Sequence, residues 1–395
     1  MLFRPDNSVI GKNPLKDQFF FALISAFGRC FMTICLAYPQ RMSRSPADSV
    51  TGPKRGELAL IRQIRSRAGK PGSGALRLGI GDDCALLRPR LGHELAITTD
   101  LTVCGRHFRL DWHSPESVGH RALARGLSDL AAMGATPVAA FLSLGLPRDL
   151  ATPKGRQTKA GSWVTRFFDG LMALADACKT PLAGGDLSET AASLADIVLI
   201  GSVPRGKALL RSTARPGDLI YVTGTLGGGA ASLPHLDRLA KLNKGKPNDM
   251  NGLMPAAIPD ELKPLLARHL YPQPRIAQGL QLRRQGLASA AMDMSDGLSS
   301  DIAHICEESR VAAEIDPLLL PIHPGASLEY ALHGGDDYEL LFTAKPGVRM
   351  PKRIGGVPIT RIGRILRARA GRPSVTMVTP DGPKPLEPRG WEHFS

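Results

Sequence analysis

The sequence predicts a two-domain α/β protein, and three observations predict it. The chain has 395 residues, more than one ordinary core fills, so two domains are the natural division. Strand-like and helix-like runs alternate along it without a heptad or a short-period repeat. Between two such series lies Arg211–Asp218, RSTARPGD, whose Arg-Pro-Gly-Asp turn signal reads as a hinge into a second half. The expected divisions are a tail over residues 1–55, a first domain over 56–205 and a second over 206–395.

Taken in order, Gly56–Arg67 has helical periodicity, and Leu76–Leu87 and Leu95–Val103 read as strands separated by Gly, Pro and Arg turns. Ser117–Met133 reads as a helix, Val138–Leu146 as a strand, Gly170–Cys178 as a second helix and Leu194–Val203 as a strand. Leu219–Thr223 opens the second half. The stretch Pro234–Pro264 is polar and rich in Lys, Asn and Pro, which predicts a loop insertion. From Ala290 the pattern of strand, Asp-rich turn and helix returns, with further strands around Glu339–Thr343 and Ile359–Ile365.

The tail is of another character. Its run FFFALISAFGRCFMTICLAY, residues 19–38, is apolar enough to resemble a membrane anchor or a signal h-region. Arg29 near its centre is costly to insert, and no A-x-A cleavage site flanks it. Translation from Met42 is the duller explanation, and the interpretable sequence begins near Gly56.

Composition narrows the partners. An apolar fraction of 43% with 22% charged residues suits a globular chain. Fifty Lys and Arg against thirty-six Asp and Glu leave a net charge of +14, which points to an anionic partner. The excess is spread along the chain and aromatics are only 5%, so neither a nucleic acid nor a membrane surface is expected. The cysteines at 30, 35, 84, 104, 178 and 306 form no C-x-x-C pair, which points to free thiols in a reducing cytoplasm.

Acidic turns carry the chemistry. Asp82 and Asp83 close GIGDD, Asp100 closes TTD, Asp186 closes GGD, Asp293 and Asp296 punctuate DMSDG, and Asp336 and Asp337 follow two glycines in GGDDYE. Glycine before a carboxylate lets the backbone bend closely around a ligand. Asp129 differs, standing alone in the small, apolar helical run GLSDLAAMGATP, where an unpaired charge is expensive. Oxygen-only donors suit a hard cation, Mg²⁺ above all, and Mg²⁺ shared with phosphates suits phosphoryl transfer. There is no P-loop, no kinase H-R-D and no G-x-G-x-x-G, so any ATP cradle is of another kind.

The ordered blocks GIGDDCALL (79–87), TTDLTVCGRHF (98–108), LSDLAAMGATP (127–137), GGD (184–186), RSTARPGDLIYVTGTLG (211–227), MDMSDGLSSDIAHI (292–305), GGDDYELLFT (334–343) and GWEHF (390–394) resemble the thiamine-monophosphate kinase family of the aminoimidazole ribonucleotide synthetase superfamily. The likeness spans about Gly56 to Phe394. It implies a two-domain aminoimidazole ribonucleotide synthetase-like fold, with an N-terminal sheet that pairs into a barrel across a homodimer and a C-terminal α/β domain over the nucleotide cleft. It implies ATP and thiamine monophosphate as substrates, thiamine diphosphate as product of the last step of its biosynthesis, and several Mg²⁺ ions.

Carried over block by block, the metal ligands fall on Asp83, Thr98, Thr99, Asp100, Asp129, Asp186, Asp293 and Asp296. The ATP contacts fall on Gly185, Asp186, Arg211 and Ser295, and the substrate contacts on His107, Asp336 and Trp391. Asp129, Asp100 and Asp186 are the expected catalytic carboxylates. An acceptor that is already a phosphate monoester carries an anionic oxygen, so no general base is required and the task is to bring two polyanions together in line.

Three departures from the family pattern bear on this. Asp336 stands where a Glu is usual and is one methylene shorter; Gly126 stands where Asn is common; Leu187 replaces a Thr after the Gly-Gly-Asp turn. Selenophosphate synthetases and the hydrogenase-maturation dehydratase share the superfamily. The reactive Cys or selenocysteine near the start of the first and the C-terminal Cys of the second are both missing here. A non-enzymatic anion-binding module would account for the net charge but not for the acidic blocks.

Overall fold

The structure, a computed structural model, describes residues 57–68, 75–151, 161–244, 258–372 and 374–391. The apolar run at 19–38, the alternative start at Met42 and the polar stretch 245–257 lie outside the described residues. Among the described helices none is long and apolar enough to cross a membrane.

In the first half, α1 (Glu57–Arg67) and a small antiparallel pair, β1 (Leu76–Leu78) and β2 (Leu86–Leu87), precede β3 (His93–Val103). Helix α2 (Pro115–Ala132) follows, started by Ser114, whose hydroxyl accepts from the Ser117 N–H, and by Pro115 in the first turn, where its missing N–H costs nothing. Then come β4 (Thr136–Leu146), α3 (Trp163–Ala177), β5 (Leu182–Glu189) and β6 (Leu194–Pro204). The strands form one sheet in the order β3-β6-β4-β5, with β4 and β5 parallel and the other pairs antiparallel.

Period-two patterning fixes which way this sheet faces. In β6 Ala195, Ile197, Leu199 and Val203 are buried, and they pack with Leu123, Leu127 and Leu130 of α2 and Phe167 and Leu171 of α3. Each such Val, Leu, Ile or Phe side chain, fully buried, contributes about 1.5–3 kcal/mol. The two helices cross closely: a Cβ at Gly170 would run into the Glu116 carbonyl, and Arg166 donates from Nε to Glu116 Oε1 at 2.6 Å. On the opposite face of β3, Leu95, Ile97 and Leu101 are exposed, Ile97 by 63%.

The second half begins at a tight turn, Arg211–Thr213, and β7 (Leu219–Thr223). It continues with α4 (Gly228–Asn243), α5 (Lys263–Leu270), α6 (Ile276–Arg284), β8 (Ala290–Asp293), α7 (Leu298–Ser309), β9 (Val311–Ile315), α8 (Leu328–His333), β10 (Leu340–Ala344), β11 (Arg353–Ile354), β12 (Val357–Arg367), β13 (Val375–Met377) and β14 (Lys384–Pro385). The sheet runs β14-β13-β9-β12-β7-β10-β8, with β11 paired to β12. Strands β8 and β10 are apolar and buried on both faces, one covered by Ile302 and Ile305 of α7, the other by Leu282 of α6. Ala131 and Ala132 at the end of α2 join that second cluster, so α2 belongs to the cores of both halves.

Three expectations are corrected. Leu76–Leu87 is two short strands, because the turn at 79–85, with Gly81 at φ +130, separates them. The second helix starts at Trp163 rather than Gly170, with Ser162 capping it through the Thr165 N–H. Within Pro234–Pro264, Pro234–Asn243 continues α4, and Lys263 and Pro264 open α5. Leu236 and Leu239 pack on Leu266 and Leu270 there, and that burial outweighs the poor helix propensity of Pro234.

Candidate active site

Helix α2 brings three side chains to one wall of a cavity of about 350 Å³: Arg121, Arg125 and Asp129, spaced four residues apart and therefore on one face. Arg125 and Asp129 line the cavity themselves, and Arg121 holds residues that do. At one end of this row the Thr98 hydroxyl donates to Asp129 Oδ2 at 2.5 Å. In the middle Arg125 donates from Nε to Asp100 Oδ1 at 2.9 Å, with Nη2 in an ion pair 2.7 Å from the same oxygen. Thr98 and Asp100 alternate on β3 and share the face toward α2, whereas Thr99 is exposed on the opposite face. At the other end the fully buried Arg121 donates from Nη2 to Asp336 Oδ2 at 3.0 Å and to the His107 carbonyl at 3.3 Å, and from Nη1 to the His269 carbonyl.

The carboxylates at the Asp129 end oppose one another. Burial pushes the Asp293 carboxyl up to about 7, and the charges on Asp129 and Asp100 add to that rise, while Arg211 works against it. Asp129 is raised for the same reasons, burial first and then Asp100, with the Thr98 hydrogen bond, Arg211 and Arg125 holding it down. Asp293 closes β8 and is 4% exposed. Ser295 and Asp296 follow in the turn and line the same cavity, and the Asp296 carbonyl accepts from the Trp391 N–H at 3.1 Å. A group of buried acids that disfavour one another's charge is a place where a cation is stabilised.

The GGDDYE block braces the other end. Asp336 takes φ +66 and gives its two carboxylate oxygens to Arg121 and to the Tyr338 hydroxyl, the latter at 2.7 Å. Burial alone would raise its carboxyl, but Arg121, His269 and Arg125 together hold it well below the usual range. Asp337 accepts from the N–H groups of Gly227 (2.6 Å) and Gly229 (3.2 Å) at the start of α4, where a helix terminus favours a carboxylate. Glu339, fully buried, takes Arg268 at 2.8 Å, Arg275 at 2.5 Å and the Thr223 hydroxyl at 2.6 Å. Both Asp336 carboxylate oxygens are thus taken by an arginine and a tyrosine of this chain. His107 turns its Nδ1 to the Val103 N–H at 3.0 Å, and half-exposed Trp391 stands at the cavity edge.

Eight of the expected residues therefore line one cavity: Asp100, His107, Asp129, Asp293, Ser295, Asp296, Asp336 and Trp391. Thr98 joins it through Asp129, and Arg211 through its field on Asp129 and Asp293. Asp83, Gly185 and Asp186 line a different cavity, of about 570 Å³, with Phe141 and Leu142. Asp186 pairs with Ser143, Ser143 with Asp196 and Asp196 with Leu101, a row on the sheet face turned away from α2. Gly185 is required there, since at φ +147 any Cβ would meet the Leu142 carbonyl. Sequence reasoning missed Arg121, Arg125, Tyr338 and the two buried histidines His113 and His269, whose rings lie 5.2 Å apart.

The models for AIR synthase related proteins match residues 81–203 (N-terminal domain) and 215–350 (C-terminal domain). The thiamine-monophosphate kinase of Escherichia coli is 39% identical over 352 residues, covering 86% of this chain and 98% of its own length. That of Bacillus subtilis is 33% identical, with 86% and 99% covered. The chain belongs to the thiamine-monophosphate kinase family. Among solved structures, thiamine-monophosphate kinase from Stenotrophomonas maltophilia matches at TM-score 0.66 and 37% identity over 81% of this chain and 96% of that one. AaThiL complexed with AMPPCP and TMP matches at TM-score 0.63 and 30% identity over 89% and 100%. Hydrogenase maturation protein HypE in complex with ATP, at 18% identity and TM-score 0.60, shares the fold alone.

In this member of the thiamine-monophosphate kinase family the donors suit a hard divalent ion by chemistry, being carboxylate and hydroxyl oxygens whose charges repel one another. Among the described residues, no three His, Cys, Asp or Glu side chains stand close enough together to hold an ion as they are. Arg125 on Asp100 and Thr98 on Asp129 occupy part of that coordination.

Proposed function

We infer that this chain phosphorylates thiamine monophosphate with ATP, giving ADP and thiamine diphosphate. The observation that carries the reading is one cavity with mutually repelling carboxylates at one end and His107, Asp336 and the Trp391 ring at the other. The carboxylate end suits the reacting phosphates, and the aromatic end suits a cationic thiazolium, to which an indole face is attractive. Arg211, whose field reaches Asp129 and Asp293, is the nucleotide's phosphate partner on this reading. Mg²⁺, held by Asp100, Asp129, Asp293 and Asp296 with the Thr98 hydroxyl, would supply charge neutralisation between the two polyanions. The residues would orient the acceptor oxygen toward the γ-phosphoryl group, and because that oxygen is already anionic direct transfer needs no phosphoenzyme.

We also propose a homodimer whose N-terminal sheets face each other. Exposed Leu95, Ile97 and Leu101 on β3 support it, since a row of large apolar side chains is costly in water. Asp186 faces that same outward side and shares a cavity with Asp83 and Gly185, and these three would complete the site from the partner copy. A reducing cytoplasmic location is supported by Cys84, Cys104, Cys178 and Cys306, all free. Incubation with ATP, Mg²⁺ and thiamine monophosphate, followed by chromatography, tests the reaction: thiamine diphosphate is expected, and ATP consumption with a different acceptor only would overturn it.

A further inference from the structure

We propose that Arg125 is a catalytic residue that receives the phosphate of the acceptor, a role that rests on the thiamine monophosphate reading and extends it. The argument is one of position along α2. At about 1.5 Å rise per residue, Arg121, Arg125 and Asp129 stand roughly 6 Å apart in succession along one wall. Arg121 fixes the aromatic end through the His107 carbonyl and Asp336, and Asp129 fixes the carboxylate end beside Asp293. An acceptor whose ring lies at the first end and whose phosphate meets the donor at the second must carry that phosphate past Arg125.

Arg125 is equipped for it. Its side chain is 15% exposed and lines the cavity together with Asp100, Asp336 and Tyr338. Nε donates to Asp100 Oδ1 and Nη2 stands 2.7 Å from the same oxygen, which fixes the guanidinium plane, and Nη1 has no hydrogen-bond partner among the described residues. A guanidinium held by one carboxylate with a donor edge to spare is preorganised for a second anion, and it enters the site without the ordering cost of a mobile side chain. Arg125 is also the one cation that α2 places between the two acidic ends, so it offsets acceptor charge before the donor arrives.

Thiamine, which lacks the phosphate, separates this role from a structural one. Calorimetric titration of both ligands into wild type, R125M and R125K should show wild type preferring thiamine monophosphate, and R125M losing about tenfold to a hundredfold of that preference. Affinity for thiamine should stay at the wild-type level, which also reports a folded cavity, and R125K should recover part of the loss. An unchanged preference in R125M, or an equal loss for both ligands, overturns the proposal while wild-type turnover leaves the substrate reading standing. A wild type that binds neither ligand and makes no thiamine diphosphate overturns both.

Discussion

The two faces of the N-terminal sheet carry acidic groups of opposite character. Toward α2, Asp100, Asp129 and Asp293 are drawn into the interior, each held by a hydroxyl, an arginine or its own burial, and at Asp129 and Asp293 the acids raise one another. Away from that group, Asp186 on the outward face of β5 and Asp83 in the turn before β2 are exposed and water solvates them. The difference teaches that one family pattern of acidic blocks can hide two physical roles. The buried group stores electrostatic cost that a bound cation relieves, and the exposed group costs nothing to keep and acts when something covers it.

Asp129→Asn separates the two faces most strongly. Loss of that charge should lower kcat by about a hundredfold to a thousandfold, while the thermal midpoint rises because a neutral isostere no longer opposes burial. Steady-state assay and thermal unfolding of the same preparation check it, and wild-type turnover would remove Asp129 from the mechanism. Asp186→Asn should cost about tenfold to a hundredfold in kcat with an unmoved midpoint, since its carboxylate is exposed. If the proposed homodimer builds each site from both copies, mixing Asp129→Asn and Asp186→Asn subunits should restore turnover, because one site of the mixed dimer then holds both native carboxylates. No recovery would place both residues in sites built by a single subunit.

Gly185→Ala should destabilise by about 1–3 kcal/mol in denaturant unfolding, because its φ of +147 and the Leu142 carbonyl leave no room for a Cβ. A wild-type midpoint there would show that the turn can rearrange. The smallest effect is acidic. Burial holds the His269 pKa down to about 3 and His113 well below its ordinary value, so the native state favours neutral rings. That contribution is fully present above about pH 6.5 and is lost as pH falls from there toward 3, where only the unfolded chain takes the proton. His269→Gln should flatten the fall in thermal midpoint across that window, and an unaltered slope would count against it.

Much of this was legible because glycine and aspartate announce themselves. The Asp293–Asp296 turn reads as a close backbone bend with carboxylates, whereas Thr-Thr-Asp100 and Gly-Gly-Asp186, expected as turns of the same kind, lie inside strands β3 and β5. Asp129 stood out as a charge in an apolar run, and the structure supplies its partner in Thr98. Arg121 and Arg125 were illegible, since four-residue spacing of polar side chains is also the signature of a solvated helix face, and their partners Asp100, His107, His269 and Asp336 are distant in sequence. His269 lies just beyond the stretch 234–264 whose Lys, Asn and Pro suggested a loop, and nothing local marked it, although Leu266 and Leu270 beside it pack with Leu236 and Leu239 as a helical core. In GGDDYE the sequence pointed to Asp336 alone. Asp337 and Glu339 act at α4 and on two arginines that lie 64 and 71 residues away, contacts no local pattern encodes.

The most direct test of the buried carboxylate group is the thermal midpoint of wild type and Asp129→Asn, each alone, with Mg²⁺, and with Mg²⁺ and AMPPCP. If the cost stored at Asp129 is what a bound cation relieves, wild type starts lower and rises clearly with Mg²⁺ and the nucleotide analogue, while Asp129→Asn starts higher and rises much less. Equal starting midpoints with equal rises would contradict the account.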